Sequence, residues 1–135
     1  MSEPDPSAAD NPTGTGPRTL TIDVWADFVC PWCYLGERRF FLALSQFAHA
    51  PNVVVRRHPF ELDTQAESCG SGRMVDAIEK KYDIDSERAH ALEARLAQLC
   101  SEVSLEYSID RIPANTLDAH RLIALAGEQS RSAGG

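Results

Sequence analysis

From Thr19 to Val29 the chain is almost unbroken in apolar character. Thr21, Ile22, Val24, Trp25, Ala26, Phe28 and Val29 predict a β-strand with one early charge, Asp23. Continuous rather than alternating apolarity predicts a strand covered on both faces, as in a parallel sheet. A helix-like run follows from Tyr34 to Ala48. Phe40, Leu44 and Phe47 recur at helical spacing, and Leu35, Phe41 and Leu42 widen the arc, so this helix is expected to pack inward on most sides. Pro51-Asn52 breaks it. The β-branched run Val53-Val54-Val55 then starts a second strand that reaches about Phe60. Strand, helix, strand is a βαβ unit, whose handedness rule makes the two strands parallel.

Beyond Phe60 the pattern changes. The segment Thr64 to Gly72 is polar with two glycines, and three helical runs follow it. The first covers about Arg73 to Tyr82, with Met74, Ile78 and Tyr82 four apart. The second covers Ser86 to Val103, with Ser86 as N-cap and Ala89, Leu92, Leu96, Leu99 and Val103 recurring at steps of three and four. A stripe this short predicts one wall of a helical bundle rather than a coiled coil. The third begins after Pro113, with Asn115 or Thr116 as cap and Asp118 in its first turn. It carries Leu117, Leu122, Ile123 and Leu125 toward Gly127. The chain therefore divides into a disordered acidic tail (1–17), a βαβ part (18–62), a helical part (63–129) and a disordered end (130–135).

Composition sets the outer limits. At 135 residues with 43% hydrophobic positions, the chain is at most one ordinary domain with enough apolar material for a core. Its formal charge is -7, and no basic cluster exceeds a pair such as Arg38-Arg39 or Arg56-Arg57, which argues against nucleic acid and anionic membrane surfaces as partners. No run approaches the roughly 18 apolar residues of a membrane span. The first 17 residues hold Glu3, Asp5, Asp10 and no Lys or Arg, so they lack the marks of a secretory signal and a cytoplasmic location is expected. In a reducing compartment, four cysteines point to a catalytic or sensing pair rather than a structural framework.

Cys30-Pro31-Trp32-Cys33 supplies that pair, at the junction of the first strand and the first helix. A helix N-terminus offers unsatisfied N–H groups and a partial positive charge, which stabilise a thiolate on the first cysteine. Pro31 suits the first turn because its missing N–H would have no partner there. Half of a zinc site has the same spacing, and so has an inert structural pair. Zinc needs a second pair at ligand spacing, whereas Cys69, Cys100, His58, His90 and His120 are scattered, so no metal is expected.

Three blocks, in order, resemble a known family: Asp27-Phe28-Val29-Cys30-Pro31-Trp32-Cys33-Tyr34-Leu35-Gly36, then Pro59-Phe60-Glu61-Leu62, then Asn115-Thr116 with Ala119-His120-Arg121-Leu122. They resemble the DsbA-like branch of the thioredoxin fold. The finer resemblance is to the FrnE-type, or polyketide-biosynthesis-type, dithiol oxidoreductases and their relatives, the 2-hydroxychromene-2-carboxylate isomerases and kappa-class glutathione transferases. The resemblance implies an α/β fold, a thioredoxin-like βαβ unit with an inserted α-helical domain at 63–129. It also implies a redox-active disulfide exchanging with disulfide or dithiol substrates, with Cys30 as nucleophile and Cys33 as resolving thiol. No other cofactor is implied. In the isomerase and transferase relatives a serine usually replaces the first cysteine and glutathione is the partner. Cys30 thus favours the oxidoreductase branch and leaves glutathione as a candidate co-substrate.

The same resemblance implies later antiparallel strands, a final helix and a cis-proline facing the dithiol. Pro113 is the only proline beyond Pro59 and does not match that motif, so the chain reads as the N-terminal part of such a protein, with a sheet edge open to self-association. Other residues carry paired readings. Asp27 is either a proton acceptor for the dithiol or, more plainly, a solvated acid at a strand end. Trp32 shapes a substrate surface or packs on its helix. His120, Arg121 and Asn115 border a substrate pocket by family position, or are a satisfied histidine, a surface arginine and a helix cap; Glu61 is similar. Cys69 reads as a loop thiol, and Cys100 as a buried small hydrophobe. Two other classes compete with the oxidoreductase: a glutathione-dependent isomerase or transferase relative, and a non-catalytic remnant or helical binding module.

Overall fold

The computed structural model describes residues 16–68 and 70–133, with 131–133 as backbone only. The expectations for the 1–15 part of the tail, for Cys69 and for 134–135 lie outside the described residues. Strand β1 spans Leu20–Ala26 and β2 spans Val53–Pro59. They pair in parallel with Leu20 opposite Val53 and Ala26 opposite Pro59, joined by helix α1, Pro31–Ser45. Among the described residues each strand pairs only with the other.

Three expectations change here. β1 ends at Ala26 and not Val29, because Asp27, Phe28 and Val29 turn the chain into α1. The strand is not covered on both faces, since Leu20 and Trp25 are exposed. Nor does α1 pack inward on most sides: Leu35 is its one buried side chain, and Phe41 and Leu42 are exposed. Apolar width on a helix shows what it is able to bury, while neighbouring elements decide what it does bury.

The helical part holds α2 (Met74–Tyr82), α3 (Ser86–Glu102) and α4 (Leu117–Ala133). In α2, Asp76 in the first turn and Lys80 and Lys81 in the last match the helix dipole. Asp83 stops it in the left-handed region at φ 51°. The cap of α3 is Asp85 and not Ser86, because the Asp85 carboxylate accepts from Arg88 N–H at 2.8 Å. Helix α3 packs against α2 and α1 and buries Ala89, Glu93, Leu96 and Cys100, while Leu92 of the expected stripe is exposed. The last helix runs past Gly127 to Ala133 and leaves Leu122, Ile123 and Leu125 in solvent.

A backbone staple ties the loop after β2 to the approach to α4. Met74 N–H donates to Arg111 O at 2.7 Å and Asn115 N–H to Glu67 O at 2.9 Å. Gly70 is part of this staple, for a Cβ there would collide with the Pro113 carbonyl oxygen. No helix among the described residues is long and apolar enough to cross a membrane.

Candidate dithiol site

Cys30 is the N-cap of α1, with extended backbone (φ -86°, ψ 111°), and Pro31 occupies the first turn. Its Sγ accepts from Cys33 N–H at 3.3 Å, so one sulfur satisfies a donor that the helix cannot. Both cysteines are half-buried and carry free thiols, and Cys100, on α3, is fully buried. Trp32 is 59% exposed.

Behind the pair lies Asp27, and here the plainer expectation fails. The residue is 5% exposed and is not a solvated strand-end acid. Its Oδ1 accepts from Phe28 N–H at 2.8 Å and lies 3.0 Å from His120 Nε2, and its Oδ2 accepts from Leu62 N–H at 2.8 Å. Burial alone would raise its carboxyl. The Thr116 side chain, Leu62 N–H, His120 and Phe28 N–H outweigh burial and hold it below the usual carboxylate range. A carboxylate so held is a fixed negative charge rather than a ready proton acceptor. His120 is a satisfied histidine, whose ring also meets Phe28 at a centroid distance of 4.7 Å. The three sequence blocks thus converge on one carboxylate, with Asp27 from the first, Leu62 from the second, and Thr116 and His120 from the third.

The other named residues divide. Asn115 holds the scaffold: its side-chain nitrogen donates to Ala66 O at 3.1 Å, and its oxygen accepts from Leu117 N–H at 2.9 Å. Arg121 is an exposed surface side chain paired with Asp118 at 3.2 Å. Glu61 is half-buried near the end of β2. Among the described residues no group of three or more His, Cys, Asp or Glu side chains is placed to hold a metal ion.

Burial pushes the Cys33 thiol up. The Asp27 N–H opposes this, while the Cys30 sulfur and the Asp27 negative charge add to it. Because burial is the largest cause and outlasts any reaction at Cys30, Cys33 should remain a thiol at neutral pH. The expected outcome is that closure of a Cys30 mixed disulfide by Cys33 accelerates roughly tenfold per pH unit from pH 6 to beyond 8. Stopped-flow measurement of that step checks it; a rate flat above pH 7 would contradict the raised thiol.

A feature absent from the sequence reading flanks Cys30. A cleft of about 150 Å³ opens between a wall of Phe28, Cys30, Pro31 and Tyr34 and a strap that contributes Glu106 to Ser108 and Arg111. Tyr34 hydroxyl donates to Glu106 O at 3.0 Å. The strap is anchored by Glu93, which is 1% exposed: Tyr107 hydroxyl donates to it at 3.0 Å and Arg111 Nη2 at 2.7 Å. Burial drives the Tyr107 phenol far up, so it remains a donor. Glu93 stands four after Ala89 and three before Leu96, on the buried arc of α3. A charge at that register was the available signal.

Comparison with known proteins agrees with this geometry. The model of the DSBA-like thioredoxin domain matches residues 21–134. Among solved structures, a probable DsbA oxidoreductase from Streptomyces coelicolor is 35% identical with a TM-score of 0.78; the alignment covers 83% of this chain and 48% of that one. The chain thus spans about half the length of that relative. A search of the curated proteins found no match. A βαβ unit with its dithiol at the N-cap of α1, followed by a helical segment, a family match over most of the chain and this structural likeness lead to one conclusion: the chain belongs to the DSBA-like thioredoxin domain family.

Proposed function

We propose that the chain is a thiol–disulfide oxidoreductase in which Cys30 attacks and Cys33 resolves. The observation that carries this reading is the N-cap geometry, with Cys30 Sγ at the open end of α1 and Cys33 N–H directed at it. Asp27 is a positioning residue. Its carboxylate closes the turn under the dithiol, and its charge adds to the burial that keeps Cys33 protonated. A cysteine at position 30, where the isomerase and transferase relatives usually carry serine, supports the FrnE-type dithiol branch. The helical segment 63–129 serves as the insertion that brings His120 onto Asp27 and the strap beside Cys30.

The reduced chain tests this with 2-hydroxyethyl disulfide, a neutral oxidant. Cys30 thiolate displaces one 2-mercaptoethanol, and Cys33 then displaces the second as it closes the Cys30–Cys33 bond. Two electrons pass from the dithiol to the substrate disulfide. Two thiols released per chain, and peptide mapping to a Cys30–Cys33 link, are expected. A link through Cys69 or Cys100, or no consumption, would overturn the reading.

A further inference from the structure

We propose that the cleft beside Cys30 selects disulfides with cationic or neutral flanks over anionic ones, with Glu106 as the specificity-determining side chain. This rests on Cys30 as the attacking thiol. The cleft has room for a single side chain or one half of a small disulfide. Arg111, its one cation among the described residues, is engaged by the buried Glu93 at 2.7 Å and stacks over the Tyr107 ring at 4.7 Å. A substrate carboxylate therefore meets a neutralised pair. Glu106, on the same wall, is exposed, and no ion pair among the described residues includes it. Asp27 adds a second, buried negative charge behind Phe28, faced by His120. Phe28, Tyr34 and Tyr107 leave the remaining wall largely aromatic, suited to the stem of a Lys- or Arg-like flank.

The substrate disulfide is the oxidant: Cys30 thiolate displaces RS⁻, the Cys33 thiol gives up its proton and displaces the second RS⁻, and the two RS⁻ take up the protons that Cys30 and Cys33 released. The test follows oxidation of the reduced full chain by cystamine, 2-hydroxyethyl disulfide and oxidised glutathione, whose halves are cationic, neutral and anionic. Each rate is divided by that of the same disulfide with 2-mercaptoethanol. One unit charge about 6 Å from Glu106 in a water-like medium is worth roughly threefold in rate, so the normalised ratio of cystamine to oxidised glutathione should be about tenfold. It should shrink toward one near 1 M salt, where the screening length is about 3 Å. Glu106→Gln should lower the ratio to within about threefold of one, while Glu87→Gln, the same charge change in the first turn of α3, should leave it high. A wild-type ratio of one or below, or equal shifts in the two variants, would overturn the proposal. If the Cys30→Ser chain still consumes the neutral disulfide, the attacking-thiol reading fails as well. If consumption depends on Cys30 but shows no charge order, only the charge selectivity fails.

Discussion

Cys30→Ser is expected to reduce disulfide exchange to the level of a chain lacking both Cys30 and Cys33, with the fold intact. The two effects are separable because of where Cys30 sits. Its structural task is to cap α1 by accepting from Cys33 N–H, and serine is among the best capping residues. Its proposed chemical task needs a thiolate, which serine cannot supply near neutral pH. Cys33→Ser should behave differently, reacting once at Cys30 and then stalling, since no resolving thiol remains. Thiol release followed by colour development, alongside a thermal melt of each variant, gives both readouts. Exchange by the Cys30→Ser chain at more than a small fraction of wild-type rate would contradict the assignment.

Glu93→Ala is expected to cost about 2–4 kcal/mol of stability, toward the lower end for a broken buried pair because the Arg111 side chain keeps some water. That is a large part of the roughly 5–15 kcal/mol that holds a domain folded. Removing Glu93 leaves the Arg111 guanidinium, 24% exposed, without its counter-charge and the half-buried Tyr107 hydroxyl without its carboxylate acceptor. The Arg111 Nε already has no hydrogen-bond partner among the described residues. Glu93→Gln, which keeps the volume and one hydrogen bond, should cost less. Denaturant unfolding of the three chains settles the order, and a loss below about 1 kcal/mol for Glu93→Ala would show that the strap is anchored by something else.

How far the residues alone reached depended on the range of the interactions. The β-branched run at Val53 and the Cys-Pro-Trp-Cys segment are local signals, and β2 and the start of α1 lie where those signals put them. Helix α3 was legible from its stripe because that pattern reports a single buried face. Phe28 and Val29 misled because apolarity does not separate a strand from a turn. What bends the chain there is Asp27, whose partners Leu62 and His120 stand 35 and 93 positions away. The same distance hid the solvent exclusion of Asp27, which from its neighbours alone reads as a surface acid. Glu93 was hidden for a related reason, since its partners Tyr107 and Arg111 follow α3, 14 and 18 positions on.

Whether Cys30 is the attacking sulfur is read straight from a trapped adduct. The Cys33→Ser chain, reduced and then exposed to 2-hydroxyethyl disulfide at pH 7, should accumulate a stable adduct of one mercaptoethanol unit. Peptide mass mapping should place it on Cys30, with Cys100 unmodified because burial both shields that thiol and pushes it up. In the wild-type chain the same adduct should be transient and give way to the Cys30–Cys33 disulfide. An adduct that forms on Cys69 or Cys100 ahead of Cys30, or one on Cys33 in a Cys30→Ser chain at the wild-type rate, would contradict the claim.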